Sequence, residues 1–369
     1  MATNTKRILI CSTQYPSFGG AATNTYALFK SISATFKCCI FFDATKSADN
    51  DPYKISSNHG TILRISPSDM KNETLVETWR KKVESCLKGI PDIIICKNYL
   101  SPIYCRQMWP TSDSIVYASS GISHLELFNL DITAQQIILG NHNIPENKDE
   151  TEAIIKSNLV IINSPLSMKI YQKLYQQYTF KIFPYVVDTS AINVTELVNY
   201  NKSITTDKLN TNRPYDIIIT ASILTRKEKN NKFLLKLLAS PTYDKYTKLI
   251  IGDGCEMFNH IPNSTILKRL PHSDLIKYMC QSKILLYPSL IDASPNTVRE
   301  AINCNCLVLM SNNIGFYELF PKYCVCSSFD LAEWASKLDY LLNNYAKTNK
   351  ISIDFSKYKS FSAFLEYFL

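Results

Sequence analysis

Glycine is scarce in this chain, with 9 among 369 residues. Each glycine kept at a turn therefore marks a tight bend or a close backbone approach. Long apolar runs are missing too. None nears the ~20 residues that a bilayer-spanning helix needs. The run from Ile8 to Cys11, behind Lys6-Arg7, is too short for a secretory leader. These absences lead us to expect a soluble, cytoplasmic protein. Paired metal or disulfide spacing is lacking among the 12 cysteines: Cys38-Cys39, Cys304-Asn305-Cys306 and Cys324-Val325-Cys326 sit in strand-like runs. Buried free thiols in a reducing compartment are expected, with no metal site. No Gly-x-Gly-x-x-Gly follows the first apolar run, which argues against a nicotinamide dehydrogenase. The lysines are dispersed and no reader motif is present, which argues against nucleic acid as a partner. Tandem repeats and low-complexity tracts are also absent.

What is present is the material of a sizeable core. Hydrophobic residues make up 46% and charged residues 20%. Lys+Arg number 40 against 32 Asp+Glu, a formal +8 that suits anionic partners without choosing among them. Short β-rich runs recur, each followed by a turn and a helical pattern. In the first half they are KRILICST, CCIFFDAT, DIIICKN, SIVYASS and LVIINSP. In the second they are YDIIITAS, TKLIIGDG, STILKRL, KILLYPSL and CLVLMS. Near-continuous Ile/Val/Leu runs fit strands buried on both faces, and their alternation with helices predicts an α/β architecture. The polar stretch 189–214 breaks the pattern. We therefore expect one doubly wound domain over 1–188, a linker over 189–214 and a second domain over 215–345. Aromatic and apolar residues at helical spacing predict a terminal helix within 346–369. Two such domains imply a cleft at the carboxyl ends of their strands.

The stretch PSLIDASPNTVREAINCNC, residues 288–306, carries two carboxylates around one helix start. KILLYPSL reads as a strand ending near Leu290. Ser294 is suited to the N-cap and Pro295 to the first helical position. The first amides, at Asn296 and Thr297, lack helical partners and form an anion site suited to a diphosphate. Glu300 lies on their face, where it could accept from a ribose diol. Asp292, on the other side of the anion site, could take hydroxyls from the group at the far end of the diphosphate. Read alone, the pair also fits a loop acid and a solvated helix face.

The stretch from GDG at 252–254 through PHSDL at 271–275, the acid pair and the Glu318 region resembles the nucleotide-binding half of glycosyltransferase family 4, the retaining GT-B enzymes. That family carries a Glu-x7-Glu motif. Asp292 takes the place of its first Glu and Glu300 that of its second. The opening KRILICSTQYPSFGGAATNTYALFKSI is similar to the family's first strand, Gly-Gly loop and helix, and DETEAIIKSNLVIINSPLSMKIYQKL to a later segment of its acceptor domain. The resemblance covers nearly the whole chain. It implies two Rossmann-like domains facing across a cleft, with the C-terminal helix crossing back to the first. It also implies metal-independent, configuration-retaining transfer from a nucleotide diphosphate sugar, a UDP-sugar favoured over a GDP-sugar, to a glycan, lipid or other hydroxyl acceptor. No cofactor is bound; the donor is a substrate. The absence of an Asp-x-Asp motif at a strand end agrees with this. By residue, the resemblance implies catalytic roles for Asp292, Lys229, Arg226 and Ser120. It implies donor contacts at Gly19, Gly20, Gly252, Arg269, Leu270, Ala293, Ser294, Pro295, Asn296, Thr297 and Glu300. Lys229 and Arg226 would offset the leaving diphosphate's charge.

Several positions depart from the family pattern. Asp292 is shorter than Glu by one C–C bond, roughly 1.5 Å. The Gly and aromatic that usually follow are Ala293 and Ser294. The family's Arg after the YDIIITAS strand is Ile223, so Arg226 would act from another point of the loop. Its Cys-Gly is Cys304-Asn305, its Pro-Asn-Gly before the linker is Pro184-Tyr185-Val186, and its His is Ser120. The five histidines read as surface or packing residues. These changes keep two alternatives open: a catalytically silent nucleotide-sugar-binding or partner subunit, and an epimerase or hydrolase that turns over donor without an acceptor. The basic amphipathic stretch MKNETLVETWRKKVESCLKG reads as a solvated helix, and in the resembling family such helices can touch an anionic membrane. Variable loops such as 46–60 and 122–147 would build the acceptor pocket.

Overall fold

A computed structural model describes residues 6–12, 20–33, 36–43, 60–65, 72–119, 131–140, 144–178, 182–186, 213–348, 353 and 359–360. The expected linker lies almost wholly outside the described residues.

The chain forms two compact units. The first runs through β1 (Arg7–Cys11), α1 (Gly20–Ser33), β2 (Lys37–Asp43), β3 (Gly60–Ile65), α2 (Glu73–Leu87), β4 (Ile93–Cys96), α3 (Leu100–Met108) and β5 (Ile115–Ala118). The next helix, α4 (Ala134–Leu139), belongs to the other unit. The first unit resumes with α5 (Lys148–Lys156), β6 (Leu159–Ile162), α6 (Pro165–Leu174) and β7 (Ile182–Val186). The second unit contains β8 (Tyr215–Ile223), α7 (Asn231–Leu238), β9 (Lys248–Asp253), β10 (Ser264–Leu267), α8 (His272–Cys280), β11 (Ser282–Tyr287), α9 (Asn296–Asn303), β12 (Leu307–Ser311), β13 (Val325–Cys326), α10 (Leu331–Asn343) and α11 (Tyr345–Thr348). Last comes β14 (Lys359–Ser360), which returns to the first unit and pairs with β7.

The first sheet has 8 strands in the order β14-β7-β6-β5-β4-β1-β2-β3. All its recorded pairings are parallel, with β1 registered on β2 (Ile8↔Cys38) and on β4 (Ile8↔Ile93). Alternation along β1 separates two cores, as a two-faced sheet requires. Ile8 and Ile10 pack with Leu28, Phe29 and Ile32 of α1. Leu9 and Cys11 pack with Val83 and Leu87 of α2 and with Cys105 and Met108 of α3. The second sheet has 6 parallel strands, β10-β9-β8-β11-β12-β13. Its core carries Trp334 of α10 edge-on to Phe233 of α7, with ring centroids 5.3 Å apart. Strand order reverses between β8 and β11. In doubly wound sheets that switch point opens a crevice at the strands' carboxyl ends.

The strand-like runs read from sequence are strands, although STILKRL contributes only Ser264–Leu267. β3, β7, β13 and β14 were not among those runs. One stretch sits elsewhere than the sequence suggested: residues 131–140, inside the expected first domain, cluster with the second unit, while Lys359–Ser360 return to the first, the direction expected for the end of the chain. Where a helix was expected to return, the described chain forms the two-residue strand β14; residues 361–369 lie outside the described residues. All 12 cysteines are free, and only Cys86 is not fully buried. Among the described residues no helix is long and apolar enough to cross a membrane.

Candidate active site

The switch point of the second sheet makes two loops neighbours: 224–230 after β8 and 288–295 after β11. Leu290 donates its N–H to the Glu228 carbonyl at 2.8 Å, which ties the loops together one residue from Lys229. A 3-10 turn, Lys227–Lys229, ends at Asn230 in the left-handed conformation (φ 54), where Asn is the residue best tolerated after Gly.

Across this junction Lys229 Nζ lies 3.2 Å from Asp292 Oδ2 and 3.3 Å from the Tyr287 hydroxyl. Tyr287 donates to the same Asp292 oxygen at 2.6 Å. The ammonium also sits 5.4 Å from the Tyr287 ring centroid. The Lys229 and Asp292 side chains are 17% and 21% exposed, so solvent screens their pairing only partly. Burial works against the Lys229 ammonium, but Tyr287, Asp292 and Glu228 outweigh it and hold its pKa above the ordinary lysine value. Burial and the Asp292 charge raise the Tyr287 phenol, so it remains a donor. Lys229 has three N–H donors. Two are engaged by Asp292 and Tyr287, and no third partner is found among the described residues.

Asp292 is fixed through its backbone as well. Its N–H donates to Asn313 O at 3.1 Å and its carbonyl accepts from Gly315 N at 2.7 Å. This makes a parallel bridge between Asp292 and Ile314. Its other carboxylate oxygen accepts from the Ser294 N–H at 3.3 Å.

α9 begins at Asn296 with Pro295 as its N-cap and no side chain capping it. The expectation that Ser294 caps the helix is corrected here. Its hydroxyl instead contacts Arg299 Nη2 at 3.1 Å, and the same nitrogen reaches Asn296 Oδ1 at 2.7 Å. Arg299, only 6% exposed, thereby braces the residues that open the helix, while the N-cap Pro295 makes no side-chain cap bond to its first amides. Ala293 is buried beside them. Glu300 lies on the first turns of α9 with its side chain 8% exposed, and His272 Nε2 at the start of α8 is 2.9 Å from its Oε1.

The other residues singled out from sequence lie in several different elements. Gly252 adopts φ +145, and a Cβ there would lie 2.0 Å from the Ala221 carbonyl oxygen, so the close approach of β9 to β8 requires glycine. Arg269 is exposed and Leu270 half-buried on the loop before α8. Arg226 Nε pairs with Glu228, the residue before Lys229. Ile223, in place of the family's Arg, ends β8 and is 42% exposed. Gly20 opens α1 in the first unit, and Gly19 and Ser120 lie outside the described residues.

Sequence reasoning missed Tyr287 and His272. Tyr287 had a signal, a tyrosine at a strand end five residues before the acid. His272 is the second residue of the PHSDL motif, yet nothing local distinguishes it from a surface histidine. Among the described residues no group of three or more His, Cys, Asp or Glu could hold a metal ion.

Residues 214–344, which lie within the second unit, match the family described as Glycosyl transferases group 1. No curated protein matches the chain in sequence. Solved structures match over almost its full length. Sucrose-phosphate synthase (tll1590) from Thermosynechococcus elongatus shares 16% identity at a TM-score of 0.66, covering 94% of this chain and 92% of that one. The catalytic domain of starch synthase IV from Arabidopsis thaliana, bound to ADP and acarbose, shares 14% at 0.65, covering 98% of each chain. Anabaena Alr3699/HepE, in complex with UDP and glucose, shares 14% at 0.62, covering 93% of each. The fold is GT-B, built of two Rossmann-like parallel-sheet domains. With a group 1 domain carrying the switch-point site, the chain is a glycosyltransferase.

Proposed function

We propose that the protein transfers a sugar from a nucleoside diphosphate sugar to a hydroxyl acceptor with retention of anomeric configuration, as a member of family 4. The observation that carries this reading is the grouping around one helix start. The Lys229–Asp292 pair lies at the β8 and β11 loops, Glu300 lies on α9, and the N-cap residue between them, Pro295, makes no side-chain cap bond. The diphosphate accepts from the first amides of α9, where the helix dipole favours an anion. Lys229 places its remaining N–H on a phosphate oxygen and stabilises the charge that grows as the C1–O bond breaks. Asp292 accepts from a sugar hydroxyl, and Glu300 takes the ribose diol. The acceptor oxygen forms the new bond to C1 on the face the diphosphate leaves, and its proton passes to the departing phosphate oxygen.

Further donor contacts fall to Gly252 near the end of β9 and to Arg269 and Leu270 on the loop before α8, and the family resemblance adds Gly19, Gly20 and Ser120 from the first half of the chain. A UDP-sugar is the favoured donor, and the UDP-bound Anabaena neighbour supports it. The positive charge of Lys229 and the helix start makes turnover independent of a metal ion. The acceptor is a glycan or a lipid-linked hydroxyl, reached in the cytoplasm with peripheral membrane contact.

The test is calorimetric titration with UDP, GDP, ADP and dTDP of wild type and Glu300→Ala. It is followed by turnover of the matching nucleotide sugar in EDTA, with the product anomer assigned by NMR. Binding of one nucleotide, lost in the variant, supports the reading; inversion, or activity lost to EDTA, overturns its mechanistic part. A second reading, a catalytically silent binding subunit, is favoured by the pairing of Arg226 with Glu228. It predicts nucleotide binding with no turnover. Consumption of donor without acceptor would point to an epimerase or hydrolase.

A further inference from the structure

The short helix α4 comes from the first half of the chain and docks on the second unit beside Asp292. It is a well-formed piece. Thr133 and Gln136 make a reciprocal capping box, and Gly140 closes the helix at φ 75. Its apolar face is seated: Ile132, Ala134 and Ile137 are each at most 9% exposed.

Its first turn is tied to both loops that hold Asp292. The Ala134 N–H donates to the Leu290 carbonyl at 3.1 Å. The Gln135 N–H donates to Asn313 Oδ1 at 3.0 Å, and Gln135 Nε2 to the Asn312 carbonyl at 3.0 Å. Asn313 is 3% exposed, and its own carbonyl accepts the Asp292 N–H. Ser311 knits the same two loops by donating to the Ser289 carbonyl at 2.6 Å. Helix amides that would otherwise be orphaned are thus satisfied by the Asp292 loops. The loops in turn gain partners that neither β11 nor β12 supplies.

We propose that residues 133–139 form a positioning element for Asp292, with Asn313 as the residue through which they act. The element bonds the Leu290 carbonyl, two residues before Asp292, and Asn312 and Asn313 of the loop that pairs with Asp292, none of which is placed on the nucleotide. It therefore sets the carboxylate against the reacting sugar without contributing to nucleotide affinity. This inference rests on the role given to Asp292 above.

The experiment uses the full chain with Asn313→Ala, Asn313→Asp and the milder Gln135→Ala. Each is measured by amide hydrogen exchange across 288–316, by UDP titration, and by steady-state kinetics with UDP-glucose. Asn313→Ala is expected to raise exchange at Asp292 and Gly315. It should lower kcat roughly ten- to hundredfold, as a small misplacement of a reacting group does, while KM and UDP affinity stay near wild type. Asn313→Asp keeps an acceptor for the Gln135 N–H and should recover most of the rate. Gln135→Ala should show the same pattern, weaker. In an Asp292→Ala background the added Asn313→Ala change should cost little more, because the two act as one unit. Unchanged exchange in both Asn313→Ala and Gln135→Ala overturns the proposal, as does a full additional loss in the Asp292→Ala background. Absence of UDP binding and turnover in wild type would count against the proposed reaction instead, and the exchange measurement would still decide whether α4 holds the loop.

Discussion

Lys229 and Asp292, 63 residues apart in sequence, meet at 3.2 Å, and the Tyr287 hydroxyl closes the triangle at 2.6 Å from the same carboxylate oxygen. The lysine stays charged because its neighbours outweigh its burial. With its pKa raised, the charge is fully present below the unfolded value of about 10.4 and is lost only as pH rises through the higher folded value. Activity should therefore show no alkaline limb from Lys229 below about pH 10. Lys229→Met should lower kcat by about 10²–10³, in the range seen when one transition-state charge partner is removed. Lys229→Arg should not rescue it, since a planar fork does not replace a point charge seated on Tyr287. A pH–rate profile and single-turnover rates of the three proteins check this, and a Lys229→Met rate within threefold of wild type would rule the role out.

Glu300 is buried with His272 as its recorded side-chain partner, and the histidine is 51% exposed. A hydrogen bond to a charged group contributes about 1.5–3 kcal/mol. Glu300→Ala should therefore weaken UDP binding by roughly ten- to a hundredfold or more. His272→Ala should change it only a few-fold, because the carboxylate remains and the ribose hydroxyls can take the vacated place. Calorimetry on both variants decides. Equal losses would make His272 a direct nucleotide contact rather than a support for Glu300.

The acids and the lysine were legible in sequence because their spacing to strand ends and to Pro295 is local information. What brings Lys229 to Asp292 is the strand order, β8 beside β11, which alternation of strands and helices makes expected but no single residue encodes. Tyr287 was passed over because a tyrosine closing a buried strand reads first as core. Ser294 was assigned the helix cap by its residue type, yet Arg299, five residues on, recruits its hydroxyl. The docking of α4 had no readable signal: the segment's capping box and apolar face say that it is a helix, not which unit covers it. β3 and β14 escaped for a simpler reason, since Gly60–Ile65 mixes polar with apolar residues and Lys359–Ser360 is too short to show any period.

The turn after α9 tests backbone preference apart from chemistry. Asn305 sits at φ 52, exposed, where the Cys306 N–H reaches back to the Ala301 carbonyl at 2.8 Å. Glycine holds this left-handed position with less strain, and a β-branched residue costs about 1–2 kcal/mol. Asn305→Gly should leave stability unchanged or raise it by a few tenths of a kcal/mol. Asn305→Val should lower it by about 1–2 kcal/mol with UDP affinity retained. Urea unfolding with the midpoint read at constant slope checks both, and an Asn305→Val midpoint equal to wild type would contradict the turn's role.

Glu333, in the first turn of α10, offers a pH test of stability. Its carboxylate accepts from the Ser327 and Ser328 N–H groups at 2.9 and 3.1 Å and from Lys337 at 2.8 Å. Burial alone would raise its pKa, but Lys337, Ser327 and Ser328 lower it to about 2. A depressed carboxylate stabilises the fold fully above its unfolded pKa of about 4.3, and that stability drains away as pH falls toward 2. Discounted for solvent screening, the contribution is about 1–2 kcal/mol. Glu333→Gln should therefore melt below wild type at pH 7, and the two curves should converge as pH drops from about 4.5 to about 2. Parallel curves across that window would mean that hydrogen-bond geometry rather than charge carries the contribution of Glu333. Curves that coincide at pH 7 would mean that the serine loop is held by other contacts.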